Sequence, residues 1–419
     1  MEYISRALED RLHHYEKTYK AILVTGARQV GKSTLLKKVF ADRRYVSLDD
    51  PFMEQQAKEA GSMFLDLNAP PVTIDEVQRA KELFRYIKIK CDESEEKGLF
   101  CLSGSQPFHL MQNVSESLSG RIGIVELSGL SMRECMGDSF NQHFLPTMEY
   151  VTERKKSIKK PENIWEIIHR GGYPELQDQN KEWSAFYADY VKTYMERDVR
   201  ELAAVQDLNA FRQFMIAIAA RTGEIVNYSS IASEIGKDVG TVKNWISILE
   251  ASGIVYLLEP YTSSVLKRAI KSPKLYFRDT GLVCYLTRWL TAENLAYGAM
   301  SGPIFETFVV SEILKSFSNE GLDYRHFVSY YRGRDRKKVK ENGEVRELET
   351  EIDLIIEENG SLYPIEIKKN TEAKAIMASA FQVLDQIPKK RRGMGAVVCN
   401  CPDVGALREN VLHIPVLYI

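Results

Sequence analysis

Residues 21–39 read AILVTGARQVGKSTLLKKV, an aliphatic run followed by two glycines five positions apart, a lysine and two hydroxyl residues. The part that begins at Gly26 fits GxxxxGK[ST] at every fixed position. Glycines let the backbone curl until its N–H groups point at phosphate oxygens, and the helix that follows adds the positive end of its dipole. The pattern predicts an ATP-binding loop with these residues: Gly26, Ala27, Arg28, Gln29, Val30, Gly31, Lys32, Ser33 and Thr34.

The residues on both sides of the loop favour this interpretation. Residues 22–25 are typical of a buried strand, and residues 34–40 place their apolar side chains on one face of a helix. Lys32 is predicted to neutralise the β- and γ-phosphates, and the Ser33 hydroxyl to ligate Mg²⁺. The alternative, a chance match in a turn, does not explain the strand–loop–helix context.

An acidic pair follows the next apolar strand, at residues 71–76, PVTIDE. The strand delivers Asp75 to its carboxyl end, where open α/β sheets bind ligands. Asp75 is predicted to hold the Mg²⁺ shell, and Glu76 to orient or deprotonate the attacking water. A solvated strand-end residue remains the alternative for Glu76.

Two further polar residues are candidates for catalysis. Residues 99–106, LFCLSGSQ, end a short apolar strand in small polar residues, and Ser105, with Ser103 second, is predicted to contact the γ-phosphate or the water. An ordinary turn explains this stretch as well. Arg121 is a candidate for an arginine supplied to a neighbouring subunit's nucleotide, which implies a homo-oligomer, and a surface arginine is the alternative.

Several stretches resemble one known family. GARQVGKSTLL, TIDEVQ, LSGSQ and SLSGRI, with RGGYPE at 170–175 and FRDTGL at 277–282, look like the bacterial and archaeal AAA-type ATPases that carry a C-terminal domain of unknown function 4143. The resemblance covers nearly the whole chain. It implies that the chain binds ATP and implies little about its biological role.

Composition narrows the class of protein further. The 419 residues predict two to four domains, and a net charge of −2, from 56 basic and 58 acidic side chains, excludes a global basic field for nucleic acid. The N-terminus lacks a secretory pattern, and no apolar stretch approaches the ~18 residues of a membrane span. Six scattered cysteines without a CxxC pair favour a reduced, cytoplasmic setting.

The middle of the chain has the pattern of a small helical domain. Helical residues 228–236, a glycine turn, helical residues 241–250 and a strand at 254–258 resemble a winged helix-turn-helix, within about 208–262. The predicted DNA-contacting residues on its second helix are Thr241, Lys243, Asn244 and Ser247. A basic stretch near the wing contains Lys267, Arg268, Lys271 and Lys274. A protein–protein module is the alternative.

The C-terminal third combines strands with a charged pattern. Asp353 lies within an apolar strand, and thirteen residues later Glu366 and Lys368 show E-x-K spacing, which places both on one face of a strand. With Glu306 on the preceding helix, the set resembles the PD-(D/E)xK nuclease core. Asp353 and Glu366 are predicted to bind Mg²⁺, and Lys368 to steady the attacking water. A surface ion pair on an inert domain is the alternative.

The predicted fold is α/β, with an AAA-like P-loop domain (1–160), a helical region with the winged helix (161–290) and a restriction-endonuclease-like domain (291–419). The predicted function is a magnesium-dependent ATPase coupled to a module that acts on nucleic acid. The alternative is a nucleotide-switched interaction protein with an inert C-terminal domain.

Overall fold

The computed structural model describes residues 3–105, 118–194, 207–262, 272–341 and 344–419, and of residues 334–349 the backbone alone. Within these ranges the chain forms three β-sheets with helices packed between and around them. Among the described helices, none combines the length and apolar character needed to cross a membrane. The described sheets follow one another along the chain.

The first sheet is parallel and carries the phosphate loop. Its strands are β1 (Ala21–Thr25), β2 (Arg44–Ser47), β3 (Val72–Asp75), β4 (Phe100–Gly104) and β5 (Ile122–Glu126), in the order β2-β3-β4-β1-β5. β1, β3 and β4 are buried along their whole length, as expected for a sheet with both faces covered. Because all five strands run the same way, Thr25, Asp75 and Gly104 end at the same edge.

Short helices cover this sheet and lead out of it. They are α1 (Glu9–Thr18), α2 (Lys32–Val39), α3 (Pro51–Glu59), α4 (Gly61–Leu67), α5 (Leu83–Glu93), α6 (Met132–Cys135) and α7 (Met148–Arg154). α2 begins directly at the loop, with Gly31 at its N-cap. The predicted strand–loop–helix unit is therefore present.

The middle of the chain is helical with one small antiparallel sheet. Its helices are α8 (Ile164–Arg170), α9 (Trp183–Tyr194), α10 (Leu208–Ala219), α11 (Tyr228–Ile235), α12 (Val239–Ala251), α13 (Thr280–Leu286) and α14 (Ala292–Tyr297). Strand β6 (Val255–Leu258) pairs with β7 (Lys274–Phe277). The predicted order of two helices and a strand at 228–258 is present.

The C-terminal part contains a long helix against a mixed sheet. After α15 (Ser301–Asn319) come β8 (Val328–Glu341), β9 (Glu344–Glu358), β10 (Ser361–Lys368), β11 (Arg391–Arg392), β12 (Gly395–Cys399), β13 (Gly405–Arg408) and β14 (Val411–Pro415). The order is β13-β14-β12-β10-β9-β8, and β11 pairs with β10. β8, β9 and β10 are antiparallel neighbours, whereas β10, β12 and β14 are parallel.

Buried polar contacts join α15 to the segment that follows the first sheet. Glu312 accepts a hydrogen bond from the Met132 amide (2.7 Å) and pairs with Lys315, whose Nζ donates to the Leu130 carbonyl at 3.0 Å. The Arg133 guanidinium donates to the carbonyl of Ile419 at 2.9 Å. These bonds fix the position of the C-terminal region relative to the phosphate loop.

Candidate functional site

The phosphate loop has a backbone that glycine alone adopts without strain. Gly26 has φ +145° and Gly31 has φ +92°. A Cβ atom at Gly26 would lie 2.1 Å from the carbonyl oxygen of Leu127, so a side chain there would collide with backbone. The two fixed glycines of the motif are thus explained by conformation and by close packing.

The lysine of the loop is buried within it. Lys32 Nζ donates hydrogen bonds to the carbonyl oxygens of Gly26 (3.0 Å) and Ala27 (2.7 Å). Of the other loop residues, Val30 and Ala27 pack into the core, whereas Gln29 and Thr34 are exposed. The lysine is therefore held inside the curve that the motif is predicted to wrap around phosphate.

An arginine near the N-terminus braces the loop from behind. Arg6 is buried and donates from Nη1 to the Val30 carbonyl (2.9 Å), while its Nε pairs with Glu134 at 2.9 Å. Its Nη2 donates to the Ser128 carbonyl at 2.7 Å. Sequence reasoning missed Arg6, because a single arginine in a charged N-terminal stretch carries no local signal.

The two predicted magnesium ligands converge on one hydroxyl group. Tyr45 donates a short hydrogen bond to Asp75 and is also hydrogen-bonded to Ser33. The second oxygen of the Asp75 carboxylate accepts a hydrogen bond from Ser103. Because a hydroxyl and a carboxylate meet at this point, the residues present fit a hard divalent cation such as Mg²⁺. Burial and the Asp75 hydrogen bond raise the pKa of Tyr45, which keeps the phenol protonated.

Glu76 and Ser105 lie beside each other, joined by a residue that the sequence analysis did not select. Ser105 Oγ donates to Glu76 at 3.3 Å, and the Gln78 amide donates to both of them. Glu76 has φ +57°, a left-handed conformation that turns the chain directly after β3. The predicted catalytic carboxylate is thereby directed by two polar neighbours.

Arg121 lies elsewhere in the fold. It precedes β5, at the amino ends of the strands, whereas the phosphate loop follows their carboxyl ends. Its guanidinium pairs with Asp92 and donates to the Ser119 carbonyl at 3.0 Å. The structure does not bring Arg121 to this chain's own loop, so the role toward a neighbouring subunit stays a prediction.

The four residues predicted to contact DNA are spread over different environments of α12. Lys243 and Asn244 are exposed, whereas Thr241 donates to the N-cap carboxylate of Asp238 at 2.5 Å. Ser247 lines a cavity of about 640 Å³ between α12 and the carboxyl end of β5. The basic residues Lys267, Arg268 and Lys271 lie outside the described residues.

A second cluster forms at the edge of β10. Pairing of Ile365 with Leu354 places their neighbours Glu366 and Asp353 opposite each other. Lys368 Nζ lies 2.6 Å from Glu366 Oε1 and 3.7 Å from Asp353 Oδ2. The structure thus brings Asp353, Glu366 and Lys368 together as the E-x-K spacing indicated.

Strand β7 adds residues that link Glu306 to the same cluster. The buried Lys274 Nζ lies 3.5 Å from Glu306 Oε1, 3.9 Å from Asp353 Oδ1 and 2.5 Å from Glu351 Oε1. The Tyr276 hydroxyl donates to Glu306 at 2.7 Å. Lys274, the last residue of the basic stretch predicted near the wing, is buried, and its ammonium pairs with these carboxylates. We call Glu306, Asp353, Glu366, Lys368 and Lys274 the acidic cluster.

The electrostatics of the acidic cluster favour a further positive charge. Burial, and then the charge of Asp353, raise the pKa of Glu306 and of Glu366 to about 7. Glu366 Oε2 is buried and has no hydrogen-bond partner among the described residues. Carboxylate oxygens are the ligands that Mg²⁺ and Mn²⁺ prefer, so Asp353, Glu306 and Glu366 fit a hard divalent cation.

The same strand connects the acidic cluster to the first sheet. One residue after β7, Arg278 pairs with Glu126, which is paired in register with Thr25 just before the phosphate loop. A Cβ at Gly253, between α12 and β6, would lie 3.3 Å from the Ala27 side chain. The region that ends in β7 therefore contacts both the loop and the acidic cluster.

Comparison with known families agrees with the N-terminal geometry. Residues 18–136 match the model of an AAA domain, so this part of the chain is an AAA-type P-loop ATPase domain. Residues 161–293 match a domain of unknown function, DUF8612. Neither match tests the C-terminal domain of unknown function 4143 that the sequence resemblance implied, so that domain stays a prediction.

Two curated relatives extend beyond the AAA domain. The uncharacterized proteins Rv2008c of Mycobacterium tuberculosis and Mb2031c of Mycobacterium bovis are each 27% identical over 353 residues, which is 84% of this chain and 70% of the relative. Their names state no activity.

Solved structures are similar at a lower level. The Walker-type ATPase PABY2304 of Pyrococcus abyssi is 16% identical with a TM-score of 0.42, over 68% of this chain and 96% of that one. AMPPCP-bound DnaA of Aquifex aeolicus is 15% identical with a TM-score of 0.27, over 68% and 91%. At these scores the likenesses add nothing to the match with the AAA domain.

Proposed function

We propose that this chain hydrolyses ATP at the phosphate loop and cleaves phosphodiester bonds of DNA at the acidic cluster, under control of the bound nucleotide. The observation that carries the second activity is the meeting of Glu306, Asp353, Glu366 and Lys368, which come from one helix and two strands. The nucleotide site rests on the motif, its geometry and the AAA match.

At the loop, each residue has a distinct part in hydrolysis. The backbone amides and Lys32 bind the phosphates, and Ser33 with Asp75 would hold Mg²⁺, which when bound neutralises phosphate charge. Glu76 orients the attacking water and accepts its proton, held in position by Ser105 and Gln78. Arg6 holds the Val30 carbonyl by a hydrogen bond, which supports the curled backbone of the loop.

At the acidic cluster, three carboxylates would hold the metal ion, which when bound polarises the phosphate and the attacking water. Lys368 lies at the more open side of the cluster, with 38% of its side chain exposed, and so is accessible to a substrate phosphate. Its ammonium orients the attacking water and stabilises the negative charge that develops on the phosphate oxygens in the transition state. The hydrogen bond from the Ile367 amide to Asp353 (2.8 Å) fixes the central carboxylate.

The test is a cleavage assay with the purified 419-residue protein. Single- and double-stranded DNA and RNA are incubated with Mg²⁺ or Mn²⁺, with and without ATP. Asp353→Asn and Lys368→Ala should each reduce metal-dependent cleavage by about 100-fold or more, because each removes a group that acts in the transition state. The exposed Glu372→Gln and Lys374→Ala serve as matched controls with wild-type rates.

Two outcomes would contradict the proposal. Cleavage that persists in Asp353→Asn and Lys368→Ala would assign the activity to another site or to a contaminant. Intact DNA and RNA under all conditions, with wild-type protein that hydrolyses ATP, would remove the nuclease function and leave the ATPase.

One observation favours the second candidate, a nucleotide-switched interaction protein with an inert acidic cluster. Lys274 already places an ammonium among Glu306, Glu351 and Asp353, and burial lowers its pKa less than these carboxylates raise it. An internal cation neutralises the carboxylates without a metal. If this candidate is correct, wild-type protein should bind no Mn²⁺ at the acidic cluster, and Lys274→Met should lower the melting temperature; Mn²⁺ binding to wild type that Asp353→Asn abolishes favours the nuclease.

A further inference from the structure

Two cysteine thiols and a histidine imidazole lie close together beside the parallel strands β12 and β14 of the C-terminal sheet. Cys399 ends β12, Cys401 follows two residues later, and His413 lies on the adjacent β14. One ligand atom from each of the three lies within 4.8 Å of the others, and both cysteines are buried. The scattered spacing of the cysteines hid this group from the sequence analysis, because the histidine comes from the next strand.

The histidine supplies an independent observation. Its Nδ1 is buried and finds no hydrogen-bond partner in the described part of the chain. A buried polar atom without a partner destabilises the fold unless something binds it. A Cβ at Gly405 would lie 2.1 Å from His413 Nε2, so only glycine at this position leaves room for the ring.

We propose that Cys399, Cys401 and His413 bind a zinc ion. Two thiolates and one imidazole form a nitrogen and sulfur donor set that selects zinc over Mg²⁺ or Mn²⁺. The exposed Asp403, two residues after Cys401, or water completes the coordination. The sulfurs are 2.6 Å apart, so the competing chemical fate of the pair is a disulfide, which would need an oxidant and leave His413 without a role.

The proposed zinc site lies beside the strand that carries Glu366 and Lys368. Cys399 is paired in register with Lys368, and Val397 is paired with both Glu366 and His413. The Asn400 amide also donates to the Asn370 carbonyl at 3.0 Å, so the loop after Cys399 flanks the end of β10. Zinc would fix this loop beside the acidic cluster. The proposal of a zinc site does not depend on nuclease activity and is tested separately.

The experiment measures zinc in the full chain, purified under reducing conditions without chelator. Elemental analysis should find about one zinc per chain, lost in Cys401→Ser and in His413→Gln but retained in Cys135→Ser and Asp353→Asn. Cobalt added to the zinc-depleted protein should give a thiolate-to-cobalt absorption band that Cys401→Ser abolishes. A far-ultraviolet circular dichroism spectrum establishes that each variant is folded.

Three results would overturn the zinc site. The first is wild-type protein without zinc and without a cobalt–thiolate band after full reduction. The second is zinc content unchanged in the double variant Cys401→Ser/His413→Gln. The third is a thiol titration in which unreduced, metal-free protein has two thiols fewer than reduced protein, with the loss abolished by Cys401→Ser.

Discussion

The phosphate loop and the acidic cluster position charged groups in opposite ways. The loop is one continuous segment, and its lysine hydrogen-bonds to carbonyls five and six residues earlier. The acidic cluster draws on α15, β7, β9 and β10, and burial, together with the charge of Asp353, raises the pKa of Glu306 and of Glu366. A site made mainly by local backbone geometry depends on few distant contacts, such as that of Arg6, whereas an assembled site depends on the packing of every contributing element.

The largest effect is expected at the loop. Lys32→Ala removes the buried cation predicted to neutralise the phosphates, so ATP turnover should fall by about 100-fold or more. The measurement is phosphate release at saturating ATP, with binding followed by calorimetry. Lys38→Ala, an exposed lysine on the same helix, should behave as wild type. Unchanged turnover in Lys32→Ala would refute the assignment of the loop.

Glu76→Gln should separate binding from chemistry. The amide keeps the shape of the side chain but cannot accept a proton, so hydrolysis should slow by about 10²–10⁴-fold while ATP affinity is unchanged. Single-turnover hydrolysis and calorimetry measure the two quantities. Glu82→Gln, an exposed carboxylate of the same region, is the control. Lost affinity with normal turnover would contradict the role given to Glu76.

The pH dependence of stability should distinguish the assembled site from the local one. In metal-free protein, Glu306 and Glu366 have pKa values raised to about 7, so the folded state binds more protons than the unfolded state between about pH 4.5 and 7. The free energy of unfolding should therefore fall as pH rises through this window. Denaturant titrations of wild type and Glu366→Gln at several pH values measure this free energy. An equal dependence on pH in both proteins would argue against the raised pKa of Glu366.

The smallest effect is expected at His143, which joins the segment after the first sheet to the C-terminal region. Burial lowers the pKa of His143, but hydrogen bonds to Glu320 and Glu358 raise it above its usual value of 6.5. The resulting stabilisation, less than about 1 kcal/mol, is complete below about pH 6.5 and is lost as pH rises through the folded-state value. His143→Gln should flatten this dependence in thermal unfolding, and the exposed His14→Gln should not.

The two sites also differ in how far the sequence predicts them. The fixed residues of the loop, and the turn after β3 that carries Glu76, follow from short patterns because local backbone geometry requires them. The α/β fold, with a P-loop sheet covered by helices and further strands in the C-terminal third, was also predicted correctly, whereas the winged-helix and nuclease-like assignments stay predictions.

The residues that the sequence did not predict act through contacts between segments that are far apart along the chain. Arg6 reaches Val30 across 24 positions, and Tyr45 reaches Asp75 across 30. Lys274 lies 79 positions before Asp353, the difference of the two residue numbers, and its apolar strand gives no sign of buried carboxylates. Such contacts depend on how elements pack, which periodicity along one segment does not report.

The most direct test of the account is a manganese titration of nucleotide-free protein, followed by calorimetry or electron paramagnetic resonance. Without nucleotide the phosphate loop lacks the phosphates that complete its metal shell, and the cysteine–histidine group disfavours Mn²⁺. We expect wild type to bind Mn²⁺, Asp353→Asn to abolish this binding, and Asp75→Asn to leave it intact. Absence of binding, or binding that Asp353→Asn does not weaken, would contradict a metal-dependent acidic cluster.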